Sequence, residues 1–306
     1  MGIAVGTASW TDKTLLEAGR YPKDAKKAED RLKYYAERYP LVEVDSTYYA
    51  IPLPRTAQLW AERTPDRFTF NIKSYRVFTG HQTRLQTLPA DLKEALGSTV
   101  KENFYYQDLP AEIADELWQR FRDSMEPLRA RNKLGAVLFQ FPPRFVKRRT
   151  NIEHILLCAR MLEGYTLATE FRNNTWFNDK HAADTIGFER ENGFVHVAVD
   201  EPQGTAFSIP SIWEATNPNL AMVRFHGRNA ETWQARGLSS AAERFNYLYS
   251  DEELEELARQ VQRLQEQAEE THVLFNNCYS DFGVRNAVDL QRLLQRPNQD
   301  SDRHTD

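Results

Sequence analysis

The sequence is poor in cysteine and has no long hydrophobic run. Its two cysteines, Cys158 and Cys278, lie far apart and outside any C-x-x-C spacing, which favours a reduced, cytoplasmic protein over a disulfide scaffold. No apolar run approaches the roughly 18 residues that a membrane span needs. The first ten residues lack the basic region and the apolar stretch of a signal peptide. We therefore expect neither secretion nor membrane association.

The sequence also lacks an excess of positive charge and the common cofactor motifs. Its net charge is −5 at pH 7, which argues against general nucleic-acid binding but leaves room for a local basic patch. It contains no G-x-G-x-x-G, Walker, H-E-x-x-H or G-x-S-x-G motif. A nucleotide cofactor is therefore not predicted, and the cofactor stays unknown.

What the sequence does contain is a regular alternation of short apolar runs and longer segments with helical periodicity. With 306 residues, 41% of them hydrophobic, the chain is long enough for one large core. The runs rich in β-branched residues are predicted to be strands. They are Ile3–Thr7, Leu41–Thr47, Phe68–Lys73, Leu134–Phe141, Thr166–Phe171, Phe194–Val199, Leu220–His226 and His272–Asn276.

Eight strand–helix units predict an α/β protein with a single (β/α)₈ TIM barrel, and a doubly wound open sheet is the main alternative. The unit after the sixth run is weak, because Glu201–Asn219 has little helical periodicity. Long connections, Arg76–Glu112 and Gly227–Asp251, follow the third and seventh strands, at the barrel end where active sites form. We expect one domain over residues 1–296 and a polar tail over 297–306.

Most predicted strands carry polar side chains on one face and bulky apolar ones on the other. In the second strand Val42 and Val44 alternate with Glu43 and Asp45. Because the bulky face must pack on the helices, we predict that the polar face points into the barrel. The polar residues concerned are Glu43, Asp45, Asn71, Lys73, Gln140, Glu170, Arg172, His196, Asp200, Arg224, His226 and Asn276.

Ordinary TIM barrels fill their interior with Val, Ile and Leu, whereas an unpaired buried charge would cost several kcal/mol. These groups should therefore be paired, hydrated or both. Three positive charges face four negative ones, so a purely structural ion network is the alternative to a functional site. The charges are Lys73, Arg172, Arg224, Glu43, Asp45, Glu170 and Asp200.

Motifs along nearly the whole chain are similar, in order and spacing, to those of a known family. They are GTASW, VEVDSTYYAIP, FNIKSYRVFTGH, GAVLFQFPPRF, TEFRNNTWF, VRFHGRN, YLYSDEEL and LFNNCYSDFGVRNAVDL. On these motifs the chain resembles the YecE-like family, a domain-of-unknown-function family (number 72) that adopts a TIM barrel. One departure is Ala8-Ser9, where the family's motif reads Ser-Gly. The resemblance implies the architecture and carries over no reaction.

Four inward residues are candidates for catalysis. Glu43 and Glu170 form a carboxylate pair suited to general acid/base work or glycoside cleavage, unless each only neutralises an arginine. His226 can titrate near neutrality. Lys73 could form a Schiff base if desolvated, although ion pairing or anion binding is favoured because acidic neighbours keep it protonated.

The remaining candidates would bind a small polar or anionic ligand. Arginine suits phosphate and carboxylate groups, and aromatic rings that follow strand ends could stack on a sugar or base. A divalent metal held by Glu43, Glu170, Asp200 and His226 is considered but not favoured. The predicted ligand-binding residues are Trp10, Asp45, Tyr48, Gln140, Arg172, Asp200, Arg224, Arg228, Asn276 and Asn277.

The sequence thus favours an enzyme of hydrolase or lyase type that acts on a small polar, anionic substrate in the barrel mouth. A second hypothesis is nucleic-acid binding or processing, based on the basic run Arg144, Lys147, Arg148 and Arg149 after FQFPP. A third is a sensor that binds a small ligand without turnover.

Overall fold

Eight parallel strands close into a barrel in the computed structural model, which describes residues 2–97, 99–204, 208–235, 237–238 and 240–295. Each strand pairs with its neighbours in chain order, and the last pairs with the first. The TIM-barrel prediction is confirmed, and the open sheet is excluded. The barrel strands are β1 (Gly2–Ala8), β2 (Leu41–Val44), β3 (Thr69–Lys73), β4 (Leu134–Phe141), β5 (Thr166–Phe171), β6 (Val195–Asp200), β7 (Leu220–Phe225) and β8 (Glu270–Phe275).

Helices connect most of the strands and cover the outside of the barrel. Their periodic apolar residues face the strands; in Asp251–Gln265, for example, Leu254, Leu257 and Val261 are buried. Ser250 caps that helix by accepting a hydrogen bond from the amide of Glu253. The α-helices are Lys13–Glu17, Ala28–Ala36, Pro54–Glu62, Ala90–Leu96, Ala111–Arg129, Arg149–Met161, Ala182–Glu191, Ala230–Trp233, Asp251–Gln265 and Phe282–Leu294.

Two connections are long, as predicted. The first, between β3 and the helix Ala111–Arg129, contains the helix Ala90–Leu96 and an antiparallel pair of short strands, Thr83–Arg84 and Asn103–Phe104. The second, after β7, contains the helix Ala230–Trp233 and the 3₁₀ turn Ala241–Phe245. Both lie at the carboxyl end of the barrel and so border its mouth.

The connection after β6 differs from the others. Its described residues, 201–204 and 208–219, form no helix, which confirms the weak periodicity read from the sequence. The segment is held instead by side-chain bonds, such as Ser211 Oγ to the Val199 carbonyl (2.6 Å). Strand β6 also pairs with β5 over only two residue pairs, whereas β1 and β8 share six.

The polar face of strand β6 points outward, against the prediction. Register pairs His196 with Thr169, and both side chains reach Glu189 on the helix Ala182–Glu191, at 2.9 and 2.5 Å. The valines of β6 therefore take the inward face. The prediction that His196 and Asp200 point into the barrel is wrong, because residues next to each other in a parallel register share a face.

Within the described ranges, no helix is long and apolar enough to cross a membrane. The predicted polar tail over residues 297–306 lies outside the described residues.

Candidate functional site

Arg224 lies at the centre of the barrel interior and joins two carboxylates from opposite strands. Its guanidinium donates to Glu43 Oε1 on β2 at 2.6 Å and to Glu170 Oε2 on β5 at 2.5 Å. All three side chains are completely buried. The strands thus bring together the two glutamates that the sequence placed across the barrel, but with an arginine between them.

Glu170 is surrounded by donors on both oxygens. Its Oε1 accepts from Arg172 Nε at 2.5 Å and from Gln140 Nε2 at 2.7 Å, and lies 3.2 Å from His226 Nε2. Arg172 also pairs with Glu201 at 2.6 Å. We call Arg172, Glu170, Glu201, Arg224 and His226 the arginine network.

Electrostatics fix the protons of this network. Burial alone would raise the pKa of Glu170, but Arg172, Arg224 and His226 lower it well below its ordinary value. Burial would likewise lower the pKa of Arg224, but Glu170 and Glu43 raise it. The charges are therefore locked near neutral pH, so Glu170 behaves as a structural anion more than as a proton carrier.

His226 is held in place as a neutral ring. Asn276 Nδ2 lies 2.9 Å from its Nδ1, and Arg172 Nη2 lies 2.9 Å from its Nε2. Gly227, at φ 86°, turns the chain away from the ring. A Cβ added to Gly227 would lie 2.6 Å from the Cβ of Tyr247. Burial, aided by Arg172, lowers the pKa of His226 to about 3. This direction is opposite to the expectation that the ring titrates near neutrality.

The β2–β3 side of the mouth holds a second group of charges, which we call the lysine cluster: Lys73, Asp45, Glu43 and Asp12. Lys73 Nζ lies 3.1 Å from Asp45 Oδ1, and the two side chains are 12% and 29% exposed, whereas Glu43 is fully buried. Glu43 Oε2 has no hydrogen bond of ordinary geometry to the described residues. Carboxylates here outnumber the available cations.

This imbalance separates the pKa values of the carboxyl groups. Burial raises the pKa of Glu43 to about 8, against the influence of Arg224. Burial would also raise the pKa of Asp45, but Lys73 and Arg224 hold it below its ordinary value. Burial would lower the pKa of Lys73, but Asp45 and Glu43 together raise it, so the lysine keeps its proton. A Schiff-base lysine is therefore disfavoured.

Sequence reasoning missed two residues of these groups. Asp12, which follows β1, is partly exposed at the mouth, and burial with Asp45 nearby raises its pKa to about 7. Glu201 follows β6 and pairs with Arg172. Both lie just beyond strand carboxyl ends, where loop residues of a barrel reach the site, and that position was the available signal.

Tyr48 borders the lysine cluster, and Trp10 precedes Asp12 of that cluster by two residues. The Lys73 ammonium lies 5.2 Å from the centre of the Tyr48 ring. Trp10 is 7% exposed, packs edge-on against Trp60, and has a buried Nε1 without a hydrogen-bond partner among the described residues.

Three predicted ligand-binding residues lie away from the barrel interior. Asp200 faces the helix layer and pairs with Arg228 at 2.8 Å. Asn277 donates to Asn286 Oδ1 and to the Tyr247 carbonyl, both at 2.9 Å, and so anchors the last helix. With Asp200 outside the barrel, the four residues considered for a metal are not brought together.

Two members of the basic run after FQFPP are neutralised by neighbours. Lys147 lies 3.9 Å from Asp184, and Arg149 lies 2.8 Å from Glu153. Arg144 donates instead to Tyr105 Oη and to the Gly80 carbonyl.

The chain matches the family model described as "Protein of unknown function DUF72" over residues 4–305. It belongs to the DUF72 family. This confirms the resemblance read from the motifs. The chain is 31% identical to UPF0759 protein YunF of Bacillus subtilis (strain 168) over 294 residues, which cover 95% of this chain and 94% of that protein.

Solved structures of DUF72 proteins share the barrel. One from Enterococcus faecalis V583 has a TM-score of 0.79 at 30% identity and covers 96% of each chain. One from Thermotoga maritima MSB8 has a TM-score of 0.74 at 30% identity and covers 97% of this chain and 100% of that one. These similarities establish the family and the architecture.

Proposed function

We propose that this DUF72 protein is an enzyme that acts on a small polar, anionic substrate by acid/base chemistry at the barrel mouth. The lysine cluster supplies three chemical roles. Lys73 is a fixed cation for an anionic group, and Asp12 exchanges a proton near pH 7. Glu43 is a buried, protonated carboxyl group, and Asp45 beside it reaches solvent. Hydrolysis and elimination both need such a donor and acceptor.

The observation that carries this proposal is the geometry of the lysine cluster: Lys73 Nζ lies 3.1 Å from the partly exposed Asp45, and Glu43 is fully buried with an Oε2 that has no hydrogen-bond partner among the described residues. In agreement with this geometry, burial raises the pKa of Glu43 to about 8 and that of Asp12 to about 7. Perturbed carboxyl groups at the carboxyl end of a barrel are typical of active sites. The arginine network has a different role in this scheme, since its charges are paired and buried. It holds Glu43 in position through Arg224.

The test is a turnover screen of small phosphate- and carboxylate-bearing compounds, followed by NMR of the products. Asp12→Asn and Glu43→Gln should each lower the rate by about 100-fold or more. Glu153→Gln, an exposed carboxylate paired with Arg149, is the matched control and should keep the rate. Folded Asp12 and Glu43 variants with full activity would refute the assignment, and binding without turnover would favour the sensor.

A further inference from the structure

A pocket lies beside the barrel mouth, in the long connection after β3. It has a volume of about 770 Å³ and is walled by the ribbon Thr83–Arg84 and by the turn that follows β4. Of its ten described lining residues, three are arginines and none is an aspartate or glutamate. We call it the rim pocket.

The three arginines of the rim pocket are Arg76, Arg84 and Arg144. None of them has a carboxylate within 4 Å among the described residues, in contrast to Arg172, Arg224 and Arg228. Arg76 Nε is buried and has no hydrogen-bond partner in that part of the chain. Arg84 and Arg144 are exposed and Arg76 is half-buried, so the buried Arg76 Nε is the group whose desolvation a bound anion would offset.

Two of these side chains are already fixed in position. Arg76 donates through Nη2 to the Gln82 carbonyl at 2.6 Å, and Arg144 donates to Tyr105 Oη and the Gly80 carbonyl. The Arg144 guanidinium also lies 4.1 Å from the centre of the Tyr105 ring. Preorganised arginines lose little side-chain entropy when they bind an oxyanion.

His81, which also lines the pocket, reports the local positive potential. Burial, together with Arg76, Lys73 and Arg144, lowers its pKa to about 3. Its ring packs edge-on against Tyr48 at 5.2 Å, and Tyr48 is the ring that Lys73 faces on the other side of the mouth. Tyr48 is therefore a shared wall between the rim pocket and the lysine cluster.

We infer that the rim pocket binds a multiply charged oxyanion group, phosphate or carboxylate, of a ligand whose remainder reaches the barrel mouth. Three arginine side chains offer bidentate donors to such a group. The binding of the anion rests on the pocket alone. The further step, that the anion is part of the substrate, rests on the proposed function.

Calorimetric titration with pyrophosphate, and in parallel with citrate, tests the inference on the full chain. Arg84→Gln is the first variant, because Arg84 is exposed and its replacement leaves the fold intact. Arg76→Gln and Arg144→Gln follow. Each of the three substitutions should weaken binding of the anion by about tenfold or more. Arg149→Gln, an exposed arginine outside the pocket that pairs with Glu153, should bind as the unmodified protein does.

The outcomes separate the possibilities. Weaker binding of pyrophosphate alone in the pocket variants identifies a phosphate site, and weaker binding of citrate alone identifies a carboxylate site. Absence of binding by both probes, or affinities that the three pocket variants leave unchanged, would overturn the inference. Glu43→Gln should bind pyrophosphate normally, so a failure of the proposed chemistry and a failure of the anion site give different results.

Discussion

The arginine network and the lysine cluster are built from the same kinds of residue but differ in how charge is balanced. Both oxygens of Glu170 are matched by donors from Arg224, Arg172 and Gln140. In the lysine cluster, the carboxyl groups of Asp12, Asp45 and Glu43 share Lys73 and one arm of Arg224. The ratio of cations to carboxylates therefore decides whether protons are fixed or exchangeable.

Protons consequently behave in opposite ways on the two sides of Arg224. Its partners lower the pKa of Glu170 far below the ordinary range, whereas burial raises the pKa of Glu43 to about 8. One arginine thus joins a structural carboxylate to a carboxyl group that can exchange a proton, and changes at either end should separate the two roles.

The largest effect is expected from Arg224→Met, which leaves Glu43 and Glu170 buried without their shared cation. Breaking a buried ion pair in this way costs about 3–5 kcal/mol of unfolding free energy. Denaturant unfolding at pH 7 measures it. Arg149→Gln, on an exposed helix surface, should change the free energy by less than about 0.5 kcal/mol. A loss below about 1 kcal/mol for Arg224→Met would mean that the network contributes little.

The next effect concerns Glu43→Gln and the pH dependence of stability. Burial raises the pKa of Glu43 from 4.5 to about 8 in the folded protein, so its contribution is complete below pH 4.5 and is lost as pH rises through 8. The unmodified protein should lose on the order of a few kcal/mol between these values. Unfolding curves of Glu43→Gln should show a flatter slope, and parallel slopes would contradict the raised pKa.

A smaller, local effect is expected at Asp12. Carboxyl NMR should show this group titrating near pH 7, because burial and Asp45 raise its pKa to about 7. Asp91 provides a contrast, since its hydrogen bonds with Arg120 lower its pKa to about 2. Lys73→Met removes a charge that lowers the pKa of Asp12, so its titration should move to higher pH. An unchanged midpoint would separate Asp12 from the cluster.

The smallest effect near neutrality should come from His226→Gln. Burial lowers the pKa of this ring from 6.5 to about 3, so the contribution of His226 to stability is lost only as pH falls from 6.5 towards 3. Between pH 7 and 8 the variant and the unmodified protein should show parallel pH dependence. A difference confined to that range would show that His226 does titrate near neutrality.

Much of the barrel could be predicted from the sequence, because strand and helix periods are local properties. The alternation in β2 correctly separated Glu43 from the valines that pack on the helices, and Gly227 marked the turn after His226. For the inward charges, the sequence shows the total number of each sign but not which groups pair. Which carboxylate oxygen accepts from which donor depends on how the barrel closes. These contacts keep Glu170 ionised, whereas Glu43 can exchange its proton.

Strand β6 shows where this reasoning stops. Val195, Val197 and Val199 form an apolar face that suits the helix layer or the barrel interior equally well. The orientation is decided by Glu189, on a helix that precedes the strand and receives His196 and Thr169. A polar partner on a helix cannot be assigned before the register of β5 and β6 is known.

The short register between β5 and β6, followed by a connection without a helix in its described part, has a consequence for amide hydrogen exchange. Local opening needs least energy where backbone pairing and packing are sparse. The barrel wall should therefore open first between β5 and β6. The pair Arg172–Glu201 spans this boundary at the mouth, so an anion that competed for Arg172 would speed exchange along the connection.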